Sequence, residues 1–101
     1  MYKEPWCDIK EFPTRHAESL VSELITEFSD QNVDWIKSSI ELLAKREDQD
    51  EILITSEGKF YIIHLTWSGR SEQAPYPITS CYESWEQVLA RLSSDSDQYE
   101  A

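Results

Sequence analysis

The sequence predicts a small α+β domain with two N-terminal helices, an antiparallel sheet of about three strands and a C-terminal helix. Three observations carry this. Apolar residues recur at helical spacing from Leu20 to Phe28 and again from Val33 to Leu43. The period then changes to alternation on either side of Glu57-Gly58. Finally, Ser84 with Gln87 three residues on forms a capping box in front of a third amphipathic stretch. At 101 residues the chain supports one hydrophobic core, so residues 1–93 are read as one domain and the polar, acidic residues 94–101 as a frayed tail.

Trp6, Ile9 and Phe12, spaced by three between Pro5 and Pro13, predict an arm packed on the body. From Thr14, read as a cap, a helix follows in which Leu20, Val21, Leu24, Ile25 and Phe28 share one face. Val33, Ile36, Ile40 and Leu43 predict a second helix through about Glu47, with Lys45 and Arg46 suited to its last turn. Residues 51–56 and 59–67 read as a hairpin. Its second strand carries apolar residues on both faces, as a centrally placed strand does. Pro75-Tyr76-Pro77 leads into a short segment through about Cys81, and the prolines place it at a sheet edge. Trp85, Val88, Leu89 and Leu92 form the stripe of the last helix.

Composition narrows the function. Twenty acidic against nine basic residues give a net charge of −11, which repels nucleic acid and anionic membrane surfaces and attracts basic proteins. The same charge also serves simply to keep a protein in solution. No run of ~20 apolar residues predicts a membrane span, and the first residues lack the apolar core of a signal peptide, so a cytoplasmic location is expected. Cys7 and Cys81 are far apart and predict two free thiols rather than a disulfide framework or a zinc site.

Catalytic motifs are not apparent. His16 and His64 lack metalloprotease spacing, there is no phosphate-cradling glycine loop, and two glycines in the whole chain leave little room for backbone to close on a cofactor. His64 with Cys81 is the one pairing that invites a nucleophile reading, and a hydrogen-bonded sheet histidine is the simpler one. Glu47, Asp48, Asp50 and Glu51 make either a cation site or a solvated turn. The expectation is a non-enzyme without cofactor or metal.

Binding residues are therefore sought on the surface. Glu23, Glu27, Asp30 and Asp34 are spaced by four, three and four, and would line one exposed helical stripe if the helix runs on. A solvated face is the alternative. Trp35 lies off the apolar stripe of its predicted helix, and Trp67 and Tyr76 fall in or beside a polar loop. Tryptophan and tyrosine are the residue types that anchor interfaces. These seven residues form the predicted partner-binding set.

The run His64-Leu65-Thr66-Trp67-Ser68-Gly69, followed by Pro75-Tyr76-Pro77 and by Tyr82 with Trp85-Glu86, resembles a pattern in small bacterial immunity proteins of toxin systems. It covers roughly residues 51–92. The resemblance implies a protein that neutralises a cognate basic toxin, for instance a nuclease, by covering its active site or a neighbouring surface. It assigns no binding residue. An acidic adaptor or regulatory subunit of a housekeeping complex fits the same charge and aromatic content.

Overall fold

The computed structural model describes residues 2–100. Five strands form one antiparallel sheet in the order β1 (Trp6–Asp8), β2 (Glu41–Arg46), β3 (Glu51–Ser56), β4 (Lys59–His64) and β5 (Ile78–Tyr82). A long helix α1 (Thr14–Glu27) and a one-turn helix α2 (Asp34–Lys37) separate β1 from β2, and helix α3 (Trp85–Glu100) closes the chain. The α+β class and the C-terminal helix agree with expectation. The sheet has five strands rather than about three, because the N-terminal arm and the segment read as a second helix each supply one.

Alternation along β3 and β4 divides the apolar residues between two faces. Ile52, Ile54, Tyr61, Ile63 and Leu65 pack with Leu20, Leu24 and Phe28 beneath α1. Leu53 and Ile62 pack with Trp6, Ala44 and Val88 beneath α3. The sheet is thus the middle of three layers, which is why Ile52, Leu53 and Ile54 are all fully buried in succession. The hairpin forms with Ser56 opposite Lys59, but its second strand ends at His64 instead of running through Trp67. Glu57 at φ 53° and Gly58 at φ 80° make the left-handed pair that a two-residue turn requires.

The predicted second helix is corrected. Helix is confined to Asp34–Lys37, Ser38 is extended at ψ 174°, and Glu41–Arg46 is a strand paired on both sides. Its residues Glu-Leu-Leu-Ala-Lys-Arg are good helix formers, so sheet pairing overrides local preference here. A β-bulge between Leu42 and Ala44 explains the misleading period. Leu42 packs on the α1 side while Leu43 and Ala44 both lie on the α3 side, so one extra residue turns alternation into an apparent helical repeat.

The C-terminal boundary is also corrected. Helix α3 continues to Glu100 instead of fraying from residue 94, and Asp95 and Ser96 are buried. Its start matches the capping box, since Gln87 N–H donates to Ser84 Oγ at 3.3 Å and Glu83 N–H donates to Gln87 Oε1 at 2.8 Å. Asp95 explains the length. Its carboxylate accepts from Trp6 Nε1 at 3.0 Å and from Arg91 Nε at 2.9 Å, and lies 3.3 Å from Arg46 Nη1.

Candidate functional site

Helix α1 ends at Glu27, and Phe28 through Gln31 fold into turns, with Gln31 N–H donating to Phe28 C=O. The chain has left the helical path before Asp30 and Asp34, so the four predicted carboxylates do not form one stripe. Asp34 is exposed at the start of α2, whose Trp35 C=O accepts from Ser56 Oγ at 2.8 Å near the hairpin turn. Trp35 is not the exposed anchor expected of it. It is half-buried, stacked on Tyr61 at 4.3 Å between ring centres and edge-on to Phe28 at 5.4 Å.

Glu27 is fully buried, which removes it from any docking surface. Its carboxylate accepts the backbone N–H groups of Thr66 and Trp67, both at 2.9 Å. Glu23 accepts Gly69 N–H at 3.0 Å, and Glu27 C=O accepts Glu72 N–H at 2.9 Å. Ser71 Oγ accepts Asp30 N–H at 3.1 Å, while the Gln31 amide donates to Glu72 C=O at 2.9 Å and Tyr76 C=O at 2.7 Å. The end of α1 and the turn after it therefore grip the loop 65–77 along its whole length. Burial, and then a hydrogen bond with the Glu23 carboxyl, push the Glu27 carboxyl above its ordinary value, and the two amides pull the other way without overcoming them.

The grip fixes a backbone that tryptophan seldom adopts. Trp67 has φ 57°, a left-handed conformation that is an outlier for a bulky residue, and its amide is one of the two held by Glu27. The side chain is thereby turned to solvent. Trp67 is 43% exposed, Tyr76 53% and the neighbouring Ile78 48%. Trp67 and Tyr76 in the clamped loop, exposed Asp30 bonded to the same loop, and exposed Ile78 at the start of the strand it leads into are the candidate docking residues. Of the predicted set, Trp67, Tyr76 and Asp30 belong to it, Glu23 and Glu27 support it from beneath, and Asp34 and Trp35 lie elsewhere. Ile78 was not singled out from sequence, because an isoleucine in a strand reads as core.

No match to this chain is found among protein-family models, curated proteins or solved structures. The site is therefore read from its own chemistry. His64 and Cys81 do not approach one another, because His64 is opposite Ile78 and Cys81 is opposite Tyr61, three residues along and on the other face. Both cysteines are free thiols, Cys7 partly buried and Cys81 exposed. Among the described residues no group of three or more histidine, cysteine, aspartate or glutamate side chains is placed to hold a metal ion. No helix among them is long and apolar enough to cross a membrane.

The acidic turn after β2 has a different role from the cation site considered for it. Arg46 Nε donates to Asp48 at 2.6 Å, Arg46 Nη1 to Glu51 at 2.9 Å, and Arg91 Nη2 to both Glu51 oxygens at 3.0 Å. Arg91 Nη1 also donates to the Tyr82 hydroxyl at 3.0 Å. Burial alone would ease proton loss from both guanidiniums, but the surrounding carboxylates and Tyr82 outweigh it and raise their pKa values further. Two cations and three anions joined in this way tie β2, β3 and α3 together. The network was not legible in sequence, since its members lie up to 49 positions apart, from Arg46 to Asp95.

Proposed function

We propose that the chain is a non-catalytic binding protein that docks a basic protein partner through Trp67, Tyr76 and Ile78, and that it acts as an immunity protein against a bacterial toxin. The observation that carries this reading is the buried Glu27 carboxylate, which holds the 65–77 loop in a strained shape that exposes a tryptophan. Strain with no benefit to the core is the kind of feature that accompanies function. Pre-ordering the loop lowers the entropic cost of binding, and exposed aromatic groups supply the anchor. The net charge of −11 selects a basic partner and speeds encounter with it.

The test compares the wild-type chain with a Trp67→Ala, Tyr76→Ala double variant as tagged bait in low-salt pull-downs from the source cells, followed by co-expression with the protein recovered. A basic toxin domain retained by the wild type, lost by the variant, and rendered harmless only by the wild type supports the reading. Equal retention by both baits removes the loop from the interface. Recovery of a metabolic or secretory complex in place of a toxin overturns the immunity role.

A further inference from the structure

The outer edge of β5 is open in a way that the opposite edge of the sheet is not. A two-residue turn makes Ser56 and Lys59 a hydrogen-bonded pair, and antiparallel pairing alternates from there. Lys59, Tyr61 and Ile63 therefore bond β3, and Leu65 continues the series by donating to Asp50 C=O at 2.8 Å. Phe60, Ile62 and His64 must bond β5 through Tyr82, Ser80 and Ile78. That leaves the N–H and C=O groups of Thr79 and Cys81 pointing away from the sheet. Among the described residues, no backbone hydrogen bond beyond the β4 ladder involves Ile78–Tyr82.

Natural edge strands are blunted by shortness, charge, proline or a bulge. At the far side β1 is three residues long, preceded by Pro5 and followed at once by a 3-10 turn over Ile9–Glu11. Pro77 likewise precedes β5, but β5 itself has five residues, Ile-Thr-Ser-Cys-Tyr, with no charge or proline within it and an unbroken register. Thr79 and Cys81, whose backbone groups face outward, are both exposed. The edge is also continuous with the docking site, because Ile78 belongs to both.

We propose that β5 takes up an extended, lysine- or arginine-bearing segment of the partner protein as a sixth strand. This rests on the reading that the chain binds a basic protein, and specifies how it does so. Main-chain hydrogen bonds to Thr79 and Cys81 would supply the affinity common to strand addition, and side-chain contacts the selectivity. Charge decides the occupant. Glu72 precedes the strand and Glu83 and Glu86 follow it; of the nearby cations, Lys59 is already 3.5 Å from Glu83, and Arg91, bonded to the Tyr82 hydroxyl, is paired with Glu51 and Asp95, which leaves Arg70. A second copy of this chain would bring −11 against −11, whereas a basic segment lowers the total charge.

Amide hydrogen exchange followed by NMR reads the inference directly. The probe is a short peptide alternating lysine and threonine, with one alternating glutamate and threonine as control. The basic peptide should slow the Thr79 and Cys81 amides by at least about tenfold, and leave Ile78, Ser80 and Tyr82, already bonded to β4, little changed. Thr79→Pro removes an outward donor and no β4 bond, so it should abolish the effect while the other strand amides stay protected. Failure of the basic peptide to slow these two amides overturns the inference, as does equal slowing by the acidic peptide. Slowing that grows with protein concentration in the absence of peptide overturns it in favour of self-association. Capture of a basic protein that leaves both amides fast overturns strand addition and keeps the binding function; capture of none overturns the binding function itself.

Discussion

Removing the Glu27 side chain leaves the Thr66 and Trp67 amides without their acceptor while the carboxylate's own burial penalty disappears. The lost bonds dominate in Glu27→Ala, because one side chain serves two donors, and a loss of about 2 kcal/mol is expected in urea denaturation. Asp34→Ala at the exposed start of α2 should change stability by less than ~0.5 kcal/mol. The contrast tests the assignment of Glu27 as a clamp. The pH dependence has a definite sign. A carboxyl raised above its ordinary value of 4.5 binds its proton more tightly in the folded state. Its contribution is therefore fully present below that value and is lost as pH rises through the higher folded value. Glu27→Gln cannot ionise, so its stability profile should lack this decline when both proteins are denatured over a series of pH values. Trp67 shows the converse. Trp67→Asn suits the left-handed backbone and removes an exposed ring, so stability should hold or rise by up to ~1 kcal/mol while partner binding falls.

Among the elements, those set by short-range chemistry were legible: the 57–58 turn, the Ser84 capping box and Leu20, Leu24 and Phe28 of the α1 face read directly from neighbouring residues, although Val21 and Ile25, placed on the same face, stay outside the core and Ile25 is 50% exposed. The edge position of β5 also followed from Pro75 and Pro77 just before it. What failed depends on distant partners. The β2 residues favour helix until β1 and β3 pair with them, and the bulge at Leu43 hides their alternation. The acidic spacing from Glu23 to Asp34 looked like a surface stripe, yet α1 ends at Glu27 and the loop it grips lies some 40 residues downstream, with 40 positions between Glu27 and Trp67. The end of α3 gives a direct test. Truncation after Ser93 would be harmless to a frayed tail, but here it removes Asp95, leaving Trp6 Nε1 without its acceptor and Arg46 and Arg91 short of a carboxylate. Breaking a buried ion-paired cluster in this way should cost about 3 kcal/mol or more by chemical denaturation, with Asp95→Asn losing a smaller part.

For the whole molecule, two kinds of charge respond differently to salt. The Arg46, Asp48, Glu51, Arg91 and Asp95 cluster is mostly buried, with Arg46 side-chain exposure at 6% and Asp95 at 8%, so mobile ions screen it little. Most of the other acidic groups sit at the surface, where they outnumber the remaining basic groups and repel one another. Raising ionic strength from about 0.02 M to about 0.5 M shortens the screening length several-fold. Weaker self-repulsion should raise the Tm of the free protein. The same screening removes the attraction that steers a basic partner, so its association rate should fall by tenfold or more over that range. Dissociation should change less, because the contacts proposed for Trp67, Tyr76 and Ile78 are apolar and salt does not weaken them. Thermal scans and stopped-flow association across one salt series measure both responses. If the Tm falls with salt, the surface charge is not the destabilising field described, and an association rate independent of salt removes charge as the basis of partner selection.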